Sequence, residues 1–590
     1  MCGICGQISF NGQPSDVESV IKMTNIMKKR GPDALGLHVH GGNAIGHRRL
    51  KIIDISERAH QPMVDNTLGL SIVFNGAIYN YQELRVELEK EGYCFFSHGD
   101  TEVILKAYHA WGESCVKRFN GMFAFAIVQR DSGKTFIARD RLGIKPLYYV
   151  RTANAFRFAS SLPAMLVYGD ISQDIDPIAL HHYMTFHSVV PAPHTILKDI
   201  KKLKPGTTMT VVPDGSVKEK AYWSLDFTPS ADEVKYELED WAELLLVYLR
   251  SAIKRRLTAD VPVGVLLSGG LDSSLIVGLL AELGQWNVST FSIGFKDLNG
   301  ENGNEFAYSD IIANHYSTDH HKIEAHDNQV LPSLERCISA MSEPMVSHDC
   351  IGFYLLSEAV SQHVKVVQSG QGADEIFGGY HWYPPLIDSR DGFYDYVGHF
   401  FDRPHTEYVA AVDSRFVGDD HSLDFVHRHF DQPGAQSPVD RALRIDTTVM
   451  LTDDPVKRVD NMTMAWGLEA RVPFLDHELV EFAARIPAIM KVGNGGKHVL
   501  KEAARSVIPA DVIDRPKGYF PVPALKYIDG DYLAFVSDTL RSEKSRQRKL
   551  FNPDYVDHVL EKPEDHITPL NGSKLWQMAV LEHWLSVHGL

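Results

Sequence analysis

Cysteine is scarce in this chain, with six among 590 residues. Cys94, Cys115, Cys337 and Cys350 lie far apart, and Cys2-x-x-Cys5 has no second C-x-x-C to complete a metal or redox site. This excludes a disulfide scaffold and a zinc ribbon, and it fits a reducing cytoplasm. No apolar run approaches the length of a membrane span, and no apolar segment follows the start as in a secretory signal. Repeats and low-complexity tracts are absent. Positive charge is in deficit: 59 Lys and Arg face 76 Asp and Glu, for a net charge of −17. That balance excludes a general binder of nucleic acid or anionic membrane. The pairs His181-His182 and His320-His321 have no partners at ligand spacing, so they read as core or solvated histidines. The expectation is a cytoplasmic protein, 44% hydrophobic, long enough for two or three domains.

What is present begins with Ser268-Gly269-Gly270-Leu271-Asp272-Ser273-Ser274. The apolar run 263–267 predicts a buried strand, and 275–283 predicts a helix. Two consecutive glycines turn backbone N–H groups into one concavity, and the serine hydroxyls and helix N-terminus add donors for phosphate oxygens. No Lys-Ser or Lys-Thr pair closes the loop as in a Walker A motif, and the spacing of a dinucleotide fingerprint is missing. A carboxylate among phosphates repels them unless a cation intervenes, so Asp272 is predicted to ligate magnesium. The competing reading is a plain strand-to-helix turn capped by Asp272.

A second strand-like run, 364–368, empties into Ser369-Gly370-Gln371-Gly372-Ala373-Asp374-Glu375. In open parallel sheets ligands bind beyond the carboxyl ends of strands, so Asp272 and Asp374 are expected to share one metal–nucleotide complex. The segment 288–295 reads as a third strand ending in Ile293-Gly294, a backbone seat for a purine or an ordinary core strand. At the other end of the chain, a small residue after Met1 permits removal of the initiator. Cys2 would then carry both a thiol and a free α-amine, whose pKa of about 8 lets it act as base for its own nucleophile.

Together these pieces resemble the asparagine synthetase family of glutamine-dependent amidotransferases over nearly the whole chain. The N-terminal half is similar to a class II glutaminase in Met1-Cys2-Gly3-Ile4, Arg30-Gly31-Pro32-Asp33, Gly46-His47-Arg48-Arg49-Leu50, Phe74-Asn75-Gly76-Ala77-Ile78-Tyr79-Asn80 and Gly99-Asp100-Thr101-Glu102. The C-terminal half is similar to an ATP-cleaving synthetase in the Ser268 loop and in Gly467-Leu468-Glu469-Ala470-Arg471-Val472-Pro473-Phe474-Leu475-Asp476. The resemblance implies an α/β protein with an Ntn-type αββα glutaminase sandwich over residues 1–220. A linker near 221–240 would lead to a parallel-sheet PP-loop domain of the adenine-nucleotide α-hydrolase kind over 241–590.

The resemblance assigns Cys2 as nucleophile, Asn75 and Gly76 as oxyanion donors, Arg49 as the clamp on the glutamine α-carboxylate and Asp100 as the partner of its α-ammonium. Leu50, Ile53 and Ala77 complete the glutamine site. Leu267, Ser268, Gly269, Gly270, Asp272, Ser273, Ile293, Ser369 and Gly370 are assigned to ATP, Asp272 and Asp374 to Mg2+, and Lys497 to the reacting phosphate. Two positions depart from the family pattern. Ala77 stands where many relatives carry a glutamate that contacts the substrate ammonium, so affinity falls or another carboxylate compensates. Gln371 stands where asparagine-forming relatives carry an acidic residue tied to acyl-adenylate formation. A neutral amide takes no proton, so its role is positional or electrostatic, or Glu375 or Glu343 covers it.

The implied reaction is ATP-dependent amidation of a carboxylate through an acyl-adenylate, with ammonia from glutamine. The acceptor is expected near Ser342-Glu343-Pro344-Met345-Val346-Ser347-His348-Asp349 and His381-Trp382-Tyr383-Pro384-Pro385. An aromatic and proline cluster offers apolar area to a substrate larger than aspartate. These stretches and Gln371 look most like the branch that amidates N-acetylglutaminylglutamine to an osmolyte dipeptide amide. Asparagine synthesis from aspartate is the alternative. Two other classes stay open, a synthetase using free ammonia and a non-enzymatic nitrogen or nucleotide sensor, because fold does not fix function. The expected partners are small molecules, with a homodimer among the assemblies the resemblance allows.

Overall fold

Period-two alternation governs the first 221 residues. In Leu70–Ile78 and Gly121–Gln129 nearly every side chain is buried, yet successive ones enter different cores. Ile72, Phe74, Ile78, Phe123, Phe125 and Ile127 pack against the helices Tyr81–Lys90 and Asp100–Trp111. Val73, Ala124, Ala126 and Val128 face a second sheet through Ile4, Ile8, Ile45 and Phe158. Strands with two buried faces must sit between two layers.

This is the computed structural model of the chain, and it describes residues 2–295, 303–325, 327–515, 518 and 528–590. In chain order the strands of this region are β1 Gly3–Ser9, β2 Ala34–His40, β3 Asn43–Arg49, β4 Met63–Asp65, β5 Leu70–Ile78, β6 Gly121–Gln129, β7 Thr135–Arg139, β8 Tyr148–Arg151, β9 Ala155–Ala159, β10 Lys201–Lys202, β11 Thr207–Val211 and β12 Val217–Ala221. They form two antiparallel sheets, ordered β10-β8-β9-β1-β3-β2 and β12-β11-β7-β6-β5-β4. The outer face of the first sheet is covered by the helices Val17–Ile26 and Pro177–Thr185 through Val20, Met23, Leu180 and Met184. The layers run helix, sheet, sheet, helix, the αββα sandwich expected.

The remainder is built on five parallel strands, β13 Val263–Leu266, β14 Ser289–Phe295, β15 Asp319–Ala325, β16 Val366–Gln368 and β17 Glu469–Arg471, in the order β15-β14-β13-β16-β17. The chain runs outward from β13 to β15 and then returns to the other side of β13 with β16. The direction of winding therefore reverses between β13 and β16, the topological switch point at which such sheets bind ligands. Both glycine-rich loops leave the sheet there. The three strands anticipated from sequence are β13, β14 and β16. β15 was not anticipated because its sequence, DHHKIEA, is polar and it lies at the sheet edge. β17 is only three residues long.

The expected linker is fastened at several points. Trp223 Nε1 donates to Glu481 at 2.7 Å, and Phe227 is buried with its N–H on Gly434 O at 2.9 Å. A reciprocal capping box between Glu237 and Asp240 then starts the helix Leu238–Arg255.

Where the two halves meet, buried charges pair across the boundary. Arg30 grips Asp460 with Nη1 at 2.9 Å and Nη2 at 3.2 Å, and Lys145 lies 3.4 Å from the same carboxylate. Lys202 bridges Asp453 at 2.5 Å and Glu343 at 3.1 Å. Despite burial, Arg30 and Lys145 hold Asp460 below the usual carboxylate range, and Asp453 and Glu343 hold Lys202 above its ordinary value. Glu343 is thereby engaged at the interface and lines neither cavity described below. Replacing Asp460 with Ala leaves two buried cations uncompensated. Thermal or denaturant unfolding should show a loss of about 3–5 kcal/mol, and an unchanged midpoint would mean that the network carries no stability.

Candidate active site

The β13 loop is shaped by close approach. Gly269 has φ +75°, and a Cβ there would lie 2.5 Å from Ser309 N. It turns against the helix Phe306–Tyr316 and, like Ser274, lies outside the cavity wall. Gly270 caps the helix Leu271–Glu282 with its N–H on Ser268 Oγ at 3.2 Å, and Ser273 Oγ accepts from Ser268 N at 3.2 Å. A Cβ on Gly370 would fall 2.9 Å from Asp272 Cβ, so the two loops touch. Their carboxylates converge on one cation: Lys497 Nζ lies 2.6 Å from Asp272 Oδ2 and 2.9 Å from Asp374 Oδ1. Both carboxylates raise the Lys497 pKa in spite of burial.

Lys497 reaches this point through an unusual backbone, with Gly495, Gly496 and Lys497 all at positive φ. Gly379 completes the arrangement and was not singled out in the sequence. A Cβ there would collide with Asp374 Oδ1 at 2.0 Å and Lys497 Cε at 2.3 Å. The cavity, about 500 Å³, is lined by residues that include Leu267, Ser268, Gly270, Asp272, Ser273, Ile293, Ser369, Gly370, Gln371, Asp374 and Lys497. Every residue predicted for the nucleotide and metal except Gly269 is therefore brought together.

The acceptor stretches are only partly in this cavity. Asp349 lines it; His381, Trp382 and Tyr383 do not. Trp382 Nε1 and the hydroxyls of Tyr383 and Tyr396 instead donate to the buried carboxylate of Asp446, at 3.2, 2.6 and 2.6 Å. Burial raises the Asp446 pKa to about 6, and those donors oppose the shift. The residue that does face the cavity is Tyr380, stacked on Trp382 with ring centres 4.2 Å apart. Its hydroxyl donates to Glu375 at 2.7 Å, a carboxyl that burial and Asp374 push up to about 7. Arg458 also lines the cavity, 3.7 Å from Asp349 and 3.5 Å from Asp454. Tyr380 directly follows the pair Gly378-Gly379, a local signal that sequence reasoning passed over, whereas nothing near Arg458 in the sequence marks it.

The second cavity lies where β1, β3 and β5 converge. Cys2, Arg49, Leu50, Ile53, Gly76, Ala77 and Asp100 line it. Cys2 N donates to Asn75 Oδ1 at 3.0 Å. Asn75 Nδ2 is buried with no acceptor among the described residues, so one amide donor stays unspent. Gly76 admits no side chain, since a Cβ would lie 2.0 Å from Met122 O. Burial pushes the Cys2 thiol up, against the opposing pull of the amino terminus, the Leu50 amide and Arg49. Met1 lies outside the described residues.

Two geometric details qualify the predicted clamp. Arg49 Nη1 donates to Ser56 O at 3.0 Å and Nη2 to Asp54 O, so part of its fork is used by the protein. Asp100 accepts from Ile78 N at 3.0 Å, and burial pushes its carboxyl up to about 7. Two further wall residues come from the other half of the chain: Glu469 and Arg471 of β17, paired at 2.6 Å. The amino terminus, Arg471 and Lys145 hold Glu469 near 2 although it is buried, so this cavity receives an ionised carboxylate that is remote in sequence from Ala77. The main chain of Arg471 turns the other way, its carbonyl accepting from Ser369 N at 2.9 Å.

Two family models match the chain, a glutamine amidotransferase domain over residues 1–223 and asparagine synthase over residues 245–586. Among curated proteins it is similar to the glutamine-hydrolysing asparagine synthetase 1 of Bacillus subtilis, 31% identical with 100% of this chain and 97% of that protein covered. Asparagine synthetase 3 of the same organism is 30% identical, covering 100% and 98%. Amidase chry2 of Gibberella zeae is 25% identical, covering 89% of each. Among the described residues no helix is long and apolar enough to cross a membrane. With one match spanning more than half the chain and full-length relatives at this identity, the chain belongs to the asparagine synthase family.

Proposed function

We propose that this glutamine-hydrolysing ligase makes ammonia at Cys2 and transfers it to an adenylated carboxylate held between the Ser268 and Ser369 loops, with residues 1–220 and 241–590 as the two catalytic halves. The observation that carries the reading is the pairing of a cysteine beside an unspent buried amide with a separate cavity where two carboxylates share one ammonium. After loss of Met1, the Cys2 amine takes the thiol proton and the thiolate attacks the glutamine carboxamide. Asn75 Nδ2 and the Gly76 N–H receive the oxyanion, Arg49 and Asp100 hold the α-groups, the proton passes to ammonia as the C–N bond breaks, and water then cleaves the γ-glutamyl thioester to release glutamate and the Cys2 thiol. A near-neutral Asp100 gains its charge as the substrate ammonium arrives.

In the larger cavity, between the Ser268 and Ser369 loops, the acceptor carboxylate attacks the α-phosphorus of ATP and pyrophosphate leaves. Ammonia then attacks the acyl carbon, expels AMP and loses a proton to give the amide. The donor set of Asp272 and Asp374, two carboxylates already drawn to one positive charge, fits Mg2+, which when bound would neutralise the phosphate oxygens. Lys497, released from the pair, would neutralise charge on the α-phosphate.

For the acceptor we favour N-acetylglutaminylglutamine, converted to its terminal amide. Its support is the neutral Gln371 and the apolar wall of Phe353, Leu356 and Tyr380, which suit a blocked dipeptide lacking a free ammonium. Aspartate is the second reading. It is favoured by the opposite charges of Asp349 and Arg458, which could match an amino acid's ammonium and carboxylate, and by the names of the Bacillus relatives.

Three measurements test these roles. Cys2→Ala should lower glutamine-dependent amidation more than about a thousandfold while synthesis from high ammonia stays nearly intact; equal loss with both nitrogen sources would refute two separate sites. Asp272→Asn and Asp374→Asn should each slow pyrophosphate release about 100-fold or more with either nitrogen source and spare glutamine hydrolysis; full activity would remove them from the metal. With both acceptors competing, mass spectrometry should find the dipeptide amide in large excess over asparagine. The reverse product ratio would assign the enzyme to aspartate.

A further inference from the structure

Away from both cavities, the fold assembles a cluster with no trace of ligand spacing in the sequence. His181 lies in the helix Pro177–Thr185, within the amidotransferase match, and is almost fully buried. His405 opens the helix His405–Ala411, and Asp420 caps the helix His421–Phe430, both within the asparagine synthase match. His181 Nε2 lies 3.0 Å from His405 Nδ1 and 3.7 Å from Asp420 Oδ1, and the three atoms are mutually within 4.8 Å. Ligands at about 2.0–2.1 Å around a tetrahedral zinc ion stand roughly 3.3 Å apart, and these separations bracket that value.

The surroundings prepare the nitrogens for a metal. His181 Nδ1 meets Ser422 Oγ at 3.1 Å, and that hydroxyl also lies 2.9 Å from His182 Nδ1 and 2.7 Å from Thr185 Oγ1; in the tautomer with the ring proton on Nδ1, the Nε2 lone pair faces His405 and Asp420. Tyr408 packs against the His181 ring, with centres 4.5 Å apart, and fixes its plane. Asp420 Oδ1 accepts from Leu423 N at 3.0 Å, which orients the carboxylate while leaving it a further lone pair. His405 and Asp420 are half-exposed, which gives an ion a route in.

We propose that His181, His405 and Asp420 form a zinc site, with water as fourth ligand, that staples the helix Pro177–Thr185 of the amidotransferase half to two helices of the synthetase half. His181 and His405 are separated by 224 positions, so an ion joining them closes a long loop and confines the unfolded chain. The same helix is already docked nearby, with Thr185 O accepting from Asp402 N at 2.9 Å and Met184 O from Arg403 Nη1 at 2.8 Å. The site takes part in neither half-reaction proposed above.

The test uses full-length protein stripped by a chelating resin and titrated with Zn2+ against a chromophoric chelator. One zinc ion per chain is expected, with a rise in the unfolding midpoint. Cobalt(II) in its place should give the visible bands of a four-coordinate nitrogen and oxygen site without a thiolate charge-transfer band. His405→Gln and Asp420→Asn should each weaken binding at least about tenfold and abolish the zinc-induced rise in midpoint. Asn keeps the helix cap, so the metal-free midpoint of that variant should match the parent and separate lost binding from lost folding. No zinc retained by the parent, undiminished binding in both variants, or a thiolate band from a cysteine would each overturn the site.

Discussion

Burying a charge is tolerable only where its opposite is built in beside it, and here the opposites come from different halves of the chain. Arg30 is the focal point: two of its nitrogens grip Asp460 and its Nε donates to Cys2 O at 3.3 Å. One guanidinium thus joins the domain interface to the main chain of the proposed nucleophile. Asp460 lies on the helix Pro455–Met464, which carries Arg458 of the large cavity and leads into β17, whose side chains close the small one. Undocked, each half would expose apolar surface and strand buried ions. The two reactions are placed relative to one another by electrostatics as much as by packing.

The parts legible in the sequence are those whose chemistry is local. A glycine-rich loop between an apolar strand and an apolar helix gathers its N–H groups within seven residues, so Ser268, Gly270, Asp272 and Ser273 lie where local reasoning puts them. Cys2 is marked by its own local chemistry, whereas Asn75 and Gly76 are expected only through the family resemblance. What escaped was set by distant packing. Glu469 and Arg471 belong to a three-residue strand, and only the sheet order reveals that they wall a cavity built from the other half. Trp382 and Tyr383 read as substrate-facing aromatics because nothing nearby shows that Asp446, 64 and 63 positions on, claims their donors. Gly269 is expected to cradle phosphate, and its φ of +75° also serves the approach of the helix Phe306–Tyr316, which no local pattern shows.

Ala77 and Gln371 each replace an acidic side chain expected from the family pattern, one at each cavity. The surroundings answer differently. Beside Ala77 stands the ionised Glu469, so negative charge persists in the glutamine cavity although it comes from another strand. Beside Gln371, Asp272 and Asp374 are engaged with Lys497, and Glu375 is near-neutral beneath Tyr380. A further carboxylate in the wall of the large cavity is Asp349, beside Arg458.

The hydrogen bond from Ser369 N to Arg471 O has a bearing on how such an enzyme can change. It ties the phosphate end of one cavity to the residue whose guanidinium walls the other, through a single peptide unit. An insertion in the Ser369 loop would move Arg471 and with it the wall of the Cys2 cavity, so that stretch is constrained by both cavities at once. Tyr380, Asp349 and Phe353 lie outside this shared bond. New acceptors can be explored there by side-chain replacement alone, leaving nitrogen supply and adenylation undisturbed, which makes acceptor choice the freest variable the architecture offers to divergence.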